Sequence, residues 1–168
     1  MKENTENCQE QLKNQAEVLE EKHLLDTVKM LDAFKEKFGD EVIEVVDKLT
    51  AQRSKKEGEE LAQKLGSNTI QDIIQELWFS GIPLGLEYTS EETEKGMQMK
   101  CTRCYIYETA KKLGITEWAY HLFCVGDPYF VEGFNSKMGF SRTKSLMEGH
   151  DCCNHNFYME APDSKKTT

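Results

Sequence analysis

Residues 81 to 85 read Gly-Ile-Pro-Leu-Gly, and this run divides the chain into two kinds of sequence. Proline lacks the backbone N–H and glycine is conformationally loose, so the run continues neither a helix nor a paired strand. Before it, apolar residues recur at spacings of three and four: Leu24, Leu25, Val28, Leu31 and Phe34, then Val42, Ile43, Val45, Val46 and Leu49, then Ile70, Ile73, Ile74, Leu77 and Trp78. The pattern predicts a helix over 5–37 stopped by Gly39, a second beginning near Val42, and a third from about Thr69 with Ser67 or Asn68 as its cap. After the run it predicts a hairpin: a strand at 86–89, a polar turn at 90–95 and a return strand at 96–101. A helix at 105–113 ended by Gly114, a further helix capped by Thr116 and two strands, about 137–145 and 153–160, complete the series. The order predicts an α+β fold in which N-terminal helices adjoin a small antiparallel sheet covered by helices. Residues 1–80 form the helical region, 81–161 the site-bearing region of the same domain, and 162–168 a polar, loose tail.

A chain of 168 residues can bury a core without covalent staples, so its six cysteines need another explanation. It opens with polar residues and has no apolar run of membrane-spanning length, which makes the cytoplasm the expected compartment and the thiols reduced. Packing, metal ligation and catalysis are their open roles. The net charge of −9 argues against nucleic acid as a partner, because binding a phosphate backbone needs clustered Lys and Arg. A membrane partner is not expected either, and a homodimer through the N-terminal helices is.

Most chemistry-bearing residues stand in the second half. Cys104 starts a predicted helix, where free N–H groups and the dipole favour a thiolate, and Arg103 adds positive charge; a buried packing thiol is the alternative. Cys124 and Asp127 lie three apart on one helical face, with His121 three residues earlier. Pro128 cannot donate to the Cys124 carbonyl, so the helix ends or kinks there and leaves that oxygen free. Asp151, Cys153, His155 and Phe157 share one strand face if extended structure begins by Asp151. Arg142 offers a planar fork for a carboxylate, or else an ion pair with Asp127 or Asp151. Thr143 falls on the opposite face of a regular strand, and Asn135 is either a pocket residue or a turn residue. Cys101-x-x-Cys104 is half of a zinc-ribbon spacing without its other half, so no metal and no other cofactor is expected.

The pairing of C-x-x-D with Arg142-Thr143-Lys144-Ser145-Leu146, Gly149, Asp151 and Cys153 resembles the L-2-amino-thiazoline-4-carboxylic acid hydrolase family. The likeness extends to Cys104 with Gly114 and, more faintly, to Arg53 and Gly58. The family is similar in its C-terminal layout to vinyl-reductase-type ligand-binding domains. The resemblance implies opening of a small carboxylate-bearing thiazoline or related amidine by water addition. On that reading Cys104 or Cys153 is the candidate nucleophile, Asp127 or Asp151 the proton-transfer group and Arg142 the anion anchor, with a water positioned by Asp127 and Asp151 as the other attacking group; Cys124, Asn135, Thr143 and His155 are the further candidates for binding substrate. The chain departs from the family at Asn154 and His155, where an acidic residue and an aromatic are common. The alternative is a sensor that binds a small ligand or metal without turnover.

Overall fold

The computed structural model describes residues 2–160, with side chains from Val18 onward, so the expected tail at 162–168 lies outside the described residues. Helix α1, Lys2–Phe38, turns through Gly39 into α2, Glu41–Leu65. Gly39 sits at φ 77°, a left-handed conformation that glycine adopts without a Cβ clash. Helix α3, Ile70–Leu77, is capped by Thr69 rather than by Ser67 or Asn68. Thr69 Oγ1 accepts the Asp72 N–H while the Asp72 carboxylate accepts from the Thr69 N–H, a reciprocal box that satisfies two free donors. Ser67 donates its hydroxyl to the same carboxylate at 2.5 Å.

The Gly81–Gly85 run forms a 3₁₀ turn, Phe79–Leu84, that leads into β1, Glu87–Thr93, and β2, Gly96–Arg103. Strand β1 runs four residues beyond the predicted end, because Ser90 to Thr93 pair with Met99 to Gly96 and only Glu94 and Lys95 turn. Helix α4, Tyr105–Leu113, is followed by α5, Thr116–Ala119, whose cap is Ile115 and not Thr116. A π-helical turn, Tyr120–Cys124, then runs into α6, Asp127–Phe134. Strands β3, Met138–Arg142, and β4, Cys153–Met159, flank a short 3₁₀ turn at Leu146–Glu148. The sheet is antiparallel throughout, in the order β1-β2-β4-β3.

One sheet face supplies Met99, Cys101, Met138, Cys153 and Phe157 to a core closed by Ile73 and Ile74 of α3, Trp78, and Val131 and Phe134 of α6. The alternate residues Lys100, Thr102 and Ser141 are exposed, so helices cover one face of the sheet. A second core joins Val28 of α1 and Val46 of α2 to Ala110, Ile115, Trp118 and Ala119. The closest helix contact is between α2 and α6. Thr50, Ser54 and Gly58 recur every fourth residue on α2 and are buried, which leaves a groove just deep enough for the α6 backbone. A Cβ at Gly58 would overlap the Phe130 carbonyl oxygen and lie 2.8 Å from Phe134 N. Gly126 and Gly133 meet Ser54 and the Lys55 carbonyl group as closely from the other side. Among the described residues no helix is long and apolar enough to cross a membrane.

Candidate functional site

The site forms where the π-helical turn meets the ends of β3 and β4. A π-turn shifts the backbone hydrogen bonds by one residue, seen in Val125 N–H donating to Tyr120 O, and it leaves carbonyls without helical partners. Two arginines take them. Arg53 Nη2 of α2 donates to Leu122 O at 2.7 Å, and Arg142 Nη2 of β3 donates to Cys124 O at 3.1 Å. The second acceptor is the oxygen that Pro128 was expected to leave free.

The other arm of Arg142, Nη1, donates to Asp127 Oδ2. Its guanidinium carbon lies 5.7 Å from the centre of the Tyr120 ring, and only 8% of the side chain is exposed. The same Asp127 oxygen stands 3.6 Å from Nε2 of His155. That imidazole is wedged edge-on against Trp78 at 5.0 Å and tilted against Phe140 at 5.6 Å between ring centres. Its Nδ1 is buried and has no hydrogen-bond partner, the one such side-chain atom among the described residues. Asp127 thus bonds Arg142 on one side and neighbours on the other an imidazole, packed among aromatic rings, whose second nitrogen is buried without a partner.

Four thiols adjoin this chain. Cys104 is the N-cap residue of α4, where the free N–H groups of the first turn favour a thiolate, yet burial outweighs them and pushes its pKa up. The expected thiolate is thus corrected. Arg103 does not assist, because it turns outward to Glu87 and Glu108 at 3.3 Å. Cys153 accepts the Leu146 N–H at 3.2 Å, and burial raises its pKa as well. Cys101, its cross-strand partner, is pushed up by burial to about 12. Cys124 is raised further, by burial first and then by the Asp127 carboxylate. Of these residues Arg142 joins Asp127 and the backbone of Cys124 directly.

Asp151, Asn135 and His121 lie elsewhere, and Thr143 stands at the edge of the site. Asp151 precedes β4 in a bend, so the strand alternation that would align it with Cys153 does not reach it. Its exposed carboxylate pairs with Lys144 at 2.8 Å, and that hydrogen bond lowers its pKa. Asn135 ends α6, where its side chain donates to Asn68 O and accepts the Lys137 N–H, so it is a turn residue. Thr143 follows the end of β3 and accepts a hydrogen bond from Asn154 Nδ2 at 2.8 Å. Asn154 Oδ1 also accepts the Thr143 and Lys144 N–H groups at 2.9 and 2.6 Å. An acidic residue at 154 could accept those two bonds but could not donate to Thr143. His121 is turned away from Cys124 and bonds Asp47 at 2.7 Å.

A groove of about 570 Å³ opens beside the cluster and is lined by Tyr120, Cys124, Phe140, Arg142, Thr143 and His150. The sequence reading missed Trp78, Tyr120 and Phe140. Trp78 was legible as one more apolar position of α3, and nothing in the pattern of the other two separates a site aromatic from a packing one. Among the described residues no three His, Cys, Asp or Glu side chains are placed to hold a metal ion.

Residues 17–157 match the family model described as L-2-amino-thiazoline-4-carboxylic acid hydrolase, so the chain belongs to that family. No curated protein matches its sequence. Among solved structures it is similar to the phenol-responsive sensory domain of the transcription activator PoxR, solved with phenol. The TM-score is 0.52 at 7% identity, over 80% of this chain and 73% of that one, a likeness of fold.

Proposed function

We propose that this member of the L-2-amino-thiazoline-4-carboxylic acid hydrolase family binds a small carboxylate-bearing thiazoline, or a related cyclic amidine, beside His155 and opens its ring by adding water. The observation that carries this reading is the imidazole with one nitrogen turned to Asp127 and the other buried without a partner. A buried unsatisfied nitrogen costs about 1–3 kcal/mol, and a bound substrate or its attacking water removes that cost by bonding Nδ1.

With the Nε2 proton directed at Asp127, Nδ1 is the basic nitrogen and accepts a proton from water. The water oxygen bonds to the ring carbon between sulfur and nitrogen. The resulting adduct expels the ring sulfur as a thiolate, the proton on His155 passes to that sulfur, and an open carbamoyl cysteine leaves. Asp127 orients the imidazole. Arg142 fixes Asp127, and its remaining N–H groups meet the substrate carboxylate from the groove. Burial keeps Cys104 and Cys153 as neutral thiols, which favours water over a cysteine as the attacking group. Asp151 has no part in this scheme.

The test is steady-state hydrolysis of 2-aminothiazoline-4-carboxylate and close relatives by the wild type and His155→Gln. The variant should lose about 10²–10⁴-fold in kcat, the usual contribution of a positioned base, and still bind substrate by calorimetry. Asp127→Asn should lower kcat, whereas Arg142→Ala should raise KM more than it lowers kcat. The second reading is a non-catalytic sensor of small ligands, favoured by the fold shared with the phenol-responsive domain. Tight binding of a planar heterocycle without turnover of any would establish it in place of the hydrolase.

A further inference from the structure

The outer face of the α1–α2 hairpin is apolar where a solvated helix should be polar. Leu19, Met30, Phe34 and Phe38 of α1 and Val45 and Leu49 of α2 are all 44–59% exposed, and Val18 is 67% exposed. Leu19, Met30 and Phe34 return at helical spacing to the side away from the buried Val28, and Phe38 follows one turn beyond Phe34. At roughly 200 Å² per large side chain, these half-exposed residues leave about 700 Å² open, close to the ~800 Å² that each partner of a stable interface covers.

The charges around the patch indicate what covers it. Along α2, Arg53 pairs with Glu57, Lys55 with Glu132 and Lys56 with Glu60. Glu41, Glu44 and Lys48, which flank Val45 and Leu49, form no ion pair among the described residues. All three are exposed, with the two acids on the N-terminal side of the patch and the base towards its C-terminal side. On α2 the face is thus acidic at one end and basic at the other, which complements its own copy turned through 180°. An acidic or a basic partner would match only half of it.

We propose that the chain forms a two-fold dimer through this face, with the two α2 helices antiparallel across Val45 and Leu49 and Glu44 of each copy facing Lys48 of the other. The apolar stripe of α1 completes the contact, and the groove beside Arg142 stays clear of it.

The test is sedimentation equilibrium of the full chain across the micromolar range, with circular dichroism as the check on folding. The wild type is expected at twice the monomer mass, and Val45→Glu with Leu49→Glu should weaken association at least tenfold while helicity is kept. Should that pair perturb the fold, Leu49→Gln gives the same comparison with a milder change. Glu44→Lys and Lys48→Glu should each weaken the dimer, and the double reversal should restore it. A monomeric wild type overturns the proposal, as does a dimer indifferent to Val45 and Leu49. Failure of the double reversal to restore association overturns the antiparallel arrangement.

Discussion

Replacement of Gly58 by alanine sets two physical effects against each other at one position. Helix propensity favours the change by about 1 kcal/mol, because alanine loses less backbone entropy than glycine within a helix. Packing opposes it. The new methyl group would overlap the Phe130 carbonyl oxygen and sit 2.8 Å from Phe134 N, both backbone atoms of α6 that cannot rotate aside as a side chain can. Overpacking typically costs 1–3 kcal/mol, and a rigid obstacle places this site near ~3 kcal/mol. The net expectation is a loss of about 2 kcal/mol, or a fall of roughly 4–8 °C in Tm for a domain of this length. Since α6 carries Asp127, the displaced helix should also weaken the Asp127 contacts to Arg142 and His155. Urea unfolding followed by circular dichroism measures the change. A variant as stable as the wild type, or more so, would refute the backbone-to-backbone approach of α2 and α6 and leave propensity as the governing effect.

Arg142→Ala should cost about 2–3 kcal/mol, below the 3–5 kcal/mol of a fully buried pair because Asp127 is 36% exposed, and a double-mutant cycle with Asp127→Ala should return most of it as coupling. Stability should fall as the solution becomes alkaline. The folded Cys101 thiol, with its pKa pushed up by burial to about 12, stays protonated while the unfolded thiol ionises from about pH 8.5, so its contribution is fully present below about 8.5 and is lost between there and 12. Urea midpoints at several pH values test this, and Cys101→Ala should flatten the decline. Alkylation of Cys104 should be slow in the native protein and fast after unfolding; a fast native phase that vanishes in Cys104→Ser would contradict the burial that raises its pKa. Thr69→Ala should remove the α3 cap and cost about 1 kcal/mol, again read from urea midpoints.

Much of the architecture follows from periodicity and punctuation. Apolar spacings of three and four placed α1 to α3, Gly39 and Gly114 stopped helices where the backbone turns left-handed and glycine carries no Cβ to clash, and the Gly81–Gly85 run separated helices from strands. These are local signals, carried by residues within a few positions of one another. Pro128 belongs with them, since a missing N–H frees the Cys124 carbonyl whatever surrounds it. The arrangement of the site was not local. Which group would take that carbonyl depended on β3 lying beside the π-helical turn, eighteen residues further along the chain.

For the same reason Asp151 and Cys153, neighbours in one motif, part company: the strand begins only at Cys153, and solvent and Lys144 claim the carboxylate before it. His155 instead lies inward, because strand alternation turns residue 155 beside Trp78 and Asp127, which come from two other elements. Sequence could place a thiol at the head of α4, where free N–H groups favour its anion. Only the tertiary structure decided the direction of its pKa, because desolvation is set by everything packed around the sulfur and here outweighs the helix end.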